Sequence, residues 1–177
     1  MSKKIFLPLF FFAVKPLFGI SILILQIDSN ITFDLSLSAG FPPTSFPTYY
    51  FPTSASSRNP EGIRIRATIW NFFGASIANA YLDVRGGGDL STSIALNQLY
   101  WSITPAPLPP SGTLPPPPWT SLSTFWQNID VVRAPQGLWG VRTYTYDMDF
   151  CFQLQEDDEP TPPEGASTVI YIRFYGL

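Results

Sequence analysis

The sequence predicts an all-β protein, an Ig-like or jelly-roll-like antiparallel β-sandwich with long Pro-rich connections. Three observations predict it. Several segments alternate apolar and polar residues with a period of two, no long stretch has a helical period, and 19 prolines and 12 glycines punctuate the chain. A chain of 177 residues is long enough for one domain with a real core.

The start reads as an export leader. Lys3 and Lys4 precede an apolar run, Ile5–Val14, and Leu17–Leu25 resumes it after Lys15 and Pro16. Gly19 and Ser21 are the nearest match to a cleavage site, so residues 1–21 are assigned to a signal peptide and 22–177 to a single β-sandwich domain. Ile5–Leu25 is also just long enough for a retained membrane anchor, although Lys15, Pro8 and Pro16 count against a span. A buried core segment is the third reading of that stretch.

Ile22–Ile27 is a nearly continuous apolar strand, and Ile31–Ser38 alternates strictly, as a half-buried strand does. Phe41–Gly62 reads as an extended loop with five prolines. Its rings Phe46, Tyr49, Tyr50 and Phe51 either fold back over a sheet face or form, with Trp119, an aromatic contact surface. Ile63–Phe72 turns Ile63, Ile65, Ala67 and Ile69 inward and Arg64 and Arg66 outward; Ile77–Arg85 places Ala78, Ala80, Leu82 and Val84 on one face. Gly86-Gly87-Gly88-Asp89 is a flexible connection without the setting of a nucleotide loop. Ile94–Thr104 supplies a further strand.

Pro105–Pro118 carries eight prolines, four of them consecutive, and is expected to be a stiff crossover between sheets rather than a ligand for a proline-binding module. Ser121–Gln127 fits a short helical turn and Asn128–Arg133 a strand. Arg142–Leu154 alternates for over a dozen residues. Tyr144, Tyr146, Met148, Phe150, Phe152 and Leu154 share one face, and Thr143, Thr145, Asp147, Asp149, Cys151 and Gln153 the other. The acidic loop Gln155–Gly165 follows, and Thr168–Tyr175 closes the fold.

Composition excludes much chemistry. There is no histidine and no lysine after Lys15, so the usual neutral-pH base, the commonest metal ligand and Schiff-base amines are missing. Without the leader, seven arginines face thirteen carboxylates, a balance of −6, which disfavours nucleic acid and anionic lipid. The lone Cys151 forms no internal disulfide. Glu156, Asp157, Asp158, Glu159 and Glu164 read as a solvated acidic turn. Calcium at the Glu156–Glu159 loop is the cofactor alternative, and paired-carboxylate hydrolysis a remoter one. Five tryptophans raise a sugar-stacking reading, against their ordinary use in packing. Asn30-Ile31-Thr32 is one glycosylation sequon.

Near the end, Tyr144-Thr145-Tyr146-Asp147-Met148-Asp149-Phe150, then Pro162-Pro163-Glu164-Gly165, then Val169-Ile170-Tyr171-Ile172 resemble the C-terminal hairpin of secreted prokaryotic Ig-like and pilin-type sandwiches. That resemblance implies a cell-surface structural or adhesive role, sometimes with polymerisation by donated strands. Chaperone-dependent pilins usually carry a disulfide, which this chain cannot form, and no LPxTG sorting sequence stands near Leu177.

The expected function is therefore a secreted, non-enzymatic cell-surface structural protein or filament subunit. Its expected partners are further copies or other surface proteins. Ile22, Ile24, Leu25 and Ile27 are the candidate strand-addition segment. The alternatives are a carbohydrate-binding module and a carboxylate hydrolase.

Overall fold

The computed structural model describes residues 11–13, 19–38, 42–74, 76–91, 93–158 and 166–177. The other residues of the segment read as a leader, Glu159 of the calcium reading and Glu164 with its Pro-Pro-x-Gly turn lie outside the described residues.

Ten strands form in chain order. They are β1 (Phe11–Ala13), β2 (Ile20–Ile27), β3 (Thr48–Tyr50), β4 (Gly62–Phe72), β5 (Asn79–Gly86), β6 (Leu99–Ser102), β7 (Thr120–Ser121), β8 (Gln127–Arg133), β9 (Trp139–Leu154) and β10 (Ile170–Gly176). They make two antiparallel sheets. One has seven strands, in the order β1-β2-β4-β9-β6-β7 with β3 also on β9; the other is β10-β5-β8. The protein is an all-β sandwich, with no α-helix among the described residues. No helix of the described residues is long and apolar enough to cross a membrane.

The inward residues of the alternating segments meet between the sheets. Ile65, Ala67 and Ile69 of β4 and Met148 and Phe150 of β9 pack against Ala80, Leu82 and Val84 of β5, with Val132 and Phe174 from the flanking strands. Each large aliphatic side chain buried there contributes about 1.5–3 kcal/mol. Asn71 is the polar exception, fully buried on the same seam. Its Oδ1 accepts from Ser21 Oγ at 2.7 Å and its Nδ2 donates to the Pro135 carbonyl. One amide thereby ties β2, β4 and the approach to β9 together.

β9 is the organising strand. Along one side it pairs with β4 from Trp139 to Asp149, then with β3 from Phe152 to Leu154. Gly62 marks the hand-over, because a Cβ there would sit 1.9 Å from the Met148 carbonyl oxygen.

Four expectations are corrected. Ile31–Ser38 is not a strand. Only Thr32 bridges, to Ser54, and Leu35–Leu37 is a 3₁₀ turn. Alternation supplies a face but no pairing partner, and here local bonds win: Leu37 N–H and Ser38 Oγ both donate to the Asp34 carbonyl. Second, Pro105–Pro118 does not cross between sheets. It joins β6 and β7, neighbours in one sheet, and loops over that sheet's outer face. Third, β9 and β10 do not form a hairpin, since β10 pairs with β5 in the opposite sheet. Finally, Ser121–Gln127 contains no helical turn; Ser121 belongs to β7 and Gln127 to β8.

Candidate interaction surfaces

The other side of β9 is only partly paired. β6 covers Asp149–Phe152. The Phe150 N–H donates to Glu61 on the β4 side, so alternation turns the backbone groups of Val141, Thr143, Thr145 and Asp147 the other way. Among the described residues no backbone group pairs with them there. This edge carries neither proline nor lysine, the usual devices against edge pairing. Its own charges are Arg142 and Asp147, the latter held by Arg64, whereas the edge strand β8 bears Asp130 and Arg133 and also opposes a register irregularity at Leu82/Asp83.

An apolar face adjoins the edge. The register sets Ile20, Phe72 and Trp139 in one row and Ile22, Trp70 and Val141 in the next, all on the outer face. Trp139 is 63% exposed, Phe73 62%, Val141 54% and Trp70 41%. The rings hold one another: Trp70 stacks on Phe72 with centroids 6.0 Å apart, and Trp139 lies 5.2 Å from both Phe72 and Phe73. Polar rows follow, with Thr68 bonded to Thr143 at 3.0 Å and the Arg64 Nε and Nη2 donating to Asp147 at 2.6 and 2.8 Å. The sequence reading missed this face. The signal was available, because Trp70, Phe72, Trp139 and Val141 fall in the polar phase of their own strands.

The candidate strand-addition segment is β2 itself. Ile22, Ile24, Leu25 and Ile27 are in register with Trp70, Thr68, Ala67 and Ile65 of β4 in the same chain. Of the five residues assigned to an aromatic contact surface, Tyr49, Tyr50 and Trp119 are buried, which corrects that assignment for those three. Tyr49 and Trp119 pack with Cys151 beneath the Pro-rich loop, where Trp119 Nε1 donates to the Pro107 carbonyl at 3.1 Å and the Tyr49 hydroxyl to that of Thr113 at 2.6 Å. Phe51 packs against Trp119, and Phe46 remains partly exposed. Cys151 has no exposed surface, and burial pushes its thiol up to about 12, so both faces of β9 are covered at this level. Phe46, Tyr100, Gln153, Gln155, Glu156 and Asp157 surround a shallow cleft of about 370 Å³.

The carboxylates are dispersed. Asp147, on the open face, is lowered by its bond to Arg64. Asp149 is buried and raised by that burial, and Glu61 is raised by burial and then by Asp149. In the acidic loop Asp158 turns inward. It accepts from Gln98 Nε2 at 2.8 and 2.9 Å and from the Gln155 N–H at 2.7 Å, leaving Glu156 and Asp157 exposed. Among the described residues, no group of three acidic or thiol ligands converges on a metal position.

The outer face of the smaller sheet carries a column of guanidiniums and rings. The Arg85 Cζ lies 4.7 Å from the Trp126 ring centroid and 4.9 Å from that of Tyr171. Arg173 Cζ lies 4.2 Å from Trp126 and 4.6 Å from Tyr175, which stacks on Tyr81 at 5.4 Å. Arg173 also donates through Nε and Nη2 to buried Asp83, at 2.9 and 2.7 Å.

Compared with known proteins, the chain matches no family model, no curated protein and no solved structure.

Proposed function

We propose that the protein is a secreted, non-enzymatic structural subunit of the cell surface, joined to further copies by backbone pairing along the free half of β9. The observation that carries this reading is the edge from Val141 to Asp147, whose outward N–H and C=O groups have no backbone partner among the described residues. The exposed rings of Trp70, Phe73 and Trp139 beside it supply the apolar contact that backbone pairing alone lacks. The leader and the absence of histidine point the same way.

Electron microscopy and light scattering of the purified protein test it. Elongated assemblies are expected from the natural chain. Thr143→Pro removes an N–H that faces away from β4, so the sheet survives while the edge is blocked. A loss of assembly of at least tenfold is expected, with the circular dichroism unchanged. A natural chain that stays monomeric at every concentration, or a folded Thr143→Pro variant that assembles equally well, overturns the reading.

A carbohydrate-binding role is the second reading. It is favoured by Trp70 and Phe72, whose ring planes differ by only 13° on the exposed face. Binding on a glycan array that Trp70→Ala abolishes would select it.

A further inference from the structure

We infer that Arg85 is a docking site for a carboxylate, and that its occupant is the acidic turn Gln155–Asp158 of a second copy of this chain. The inference rests on the proposed self-association and names a contact distinct from the β9 edge.

Three observations carry it. First, Arg85 is the guanidinium of the column that lacks an acid. Arg173 pairs with Asp83 at 2.7 Å, and no described carboxylate pairs with Arg85; Arg66, Arg133 and Arg142 also lack an ion pair but, unlike Arg85, have no ring packed on the guanidinium among the described residues. Second, the group is held in place. Trp126 and Tyr171 both pack on it, and its Nε is buried with no hydrogen-bond partner. A guanidinium fixed by rings has already lost the rotamer freedom that ion pairing costs, and its remaining donors match a carboxylate. An orphaned buried N–H adds a gain when a ligand or its bridging water reaches it.

Third, the same chain presents the complement. Asp158 ties the turn down through Gln98 and the Gln155 N–H, and so displays Glu156 and Asp157 to solvent. The turn leaves the end of β9 in the larger sheet, whereas Arg85 lies on the outer face of the smaller one. The two surfaces are unlike patches on different sheets of one copy, so their pairing closes into a two-fold dimer only where both patches of each copy meet at once, and is otherwise heterologous. A contact of that kind propagates into an open row unless its rotation closes a ring.

The test uses the full chain and a synthetic peptide spanning Gln153–Glu159. A fluorescein-labelled peptide is titrated into each protein by anisotropy, the Arg85 Nε–H resonance is followed in the natural chain, and self-association is measured by light scattering in parallel. Peptide binding that shifts this resonance is expected. Binding and association should both fall at least tenfold in Arg85→Gln, and should weaken as ionic strength rises. The paired variant Glu156→Lys/Asp157→Lys leaves the column untouched, so its loss of association cannot come from misfolding there. Mixing it with Arg85→Glu is expected to raise association above the residual level of either variant alone.

Peptide binding within twofold of the natural chain in a folded Arg85→Gln variant, or no recovery in the mixture, overturns the inference. The two proposals fail separately. If Thr143→Pro assembles normally while Arg85→Gln does not, the edge reading falls and the Arg85 contact stands. If the peptide does not bind and Arg85→Gln assembles normally, the reverse holds.

Discussion

At the residue scale the informative positions are those where a polar group sits among apolar ones. Cys151 lies on the polar phase of β9, yet the Pro-rich loop covers it completely. Its thiol is expected to resist iodoacetamide in the native protein and to react on unfolding, as mass spectrometry would read. The linkage has a definite sign. The folded thiol titrates near 12 against 9.0 for an unperturbed one, so the neutral form favours the fold and stability falls as pH rises between the two. Cys151→Ala should therefore lose less stability than the natural chain across that window, by up to about 4 kcal/mol. Equal alkaline slopes in urea melts of the two proteins would contradict it.

Arg64 and Asp147 give the opposite sign. Arginine holds Asp147 below the usual carboxylate range, so this stability is present above the unfolded pKa and disappears as pH falls through the folded one. Both groups are partly exposed and solvent screens the pair, so Arg64→Met is expected to lose little stability at pH 7. Its acid-unfolding curve should also be shallower below pH 4, measured by fluorescence.

At the element scale, β2 and β9 hold the larger sheet. β2 meets β4 over eight register pairs, and Asn71 bonds across that seam to Ser21 and onward to Pro135. Asn71→Ala leaves the Pro135 carbonyl without its amide donor in a buried site, so a loss of about 2–3 kcal/mol is expected in chemical denaturation. A loss under 0.5 kcal/mol would show that the amide is not what ties these segments together. The element scale is also where sequence reading went furthest and failed most clearly. The alternation of Ile63–Phe72, and of Arg142–Leu154 as far as Met148, separates inward from outward residues because burial on one face imposes a period of two, whereas Asp149, Cys151 and Gln153 of the polar phase are buried as well. Ile31–Ser38 has the same period but finds no neighbouring strand to complete its backbone bonds. It keeps Ile31 and Phe33 against the core and coils instead.

At the scale of the whole molecule, three charged or apolar features stay open. They are the β9 edge, the ring face beside it, and Arg85 on the far sheet. The first two adjoin on the larger sheet and Arg85 lies on the smaller one, so each copy has two unlike contacts, which can link copies into an open array. Salt is expected to act on one contact only. Assembly through β9 depends on backbone bonds and rings, whereas the Arg85 contact is electrostatic. Light scattering at rising ionic strength should thus shorten assemblies in the natural chain and leave residual association that Thr143→Pro then removes. Association that does not respond to salt would leave the edge as the sole contact.

By itself the sequence determined the fold class, the inward residues of the long strands, and the poverty of catalytic groups. These follow from composition and from periodicity, which are local properties of the chain. Tertiary structure alone decided which strands are neighbours, and the consequences run through the whole surface. Pairing β10 with β5 rather than β9 aligned Tyr171 and Arg173 with Arg85 and Asp83. Ending β6 at Ser102 left half of β9 without a described strand partner on the side away from β4. Folding the Pro-rich loop over the outer face buried Tyr49, Trp119 and Cys151 while Trp139 and Trp70 stayed in solvent. A ring or a thiol in sequence has the same hydrophobicity in either place. Whether it becomes core or contact surface depends on whether a distant segment has enough chain, and the right backbone partners, to cover it.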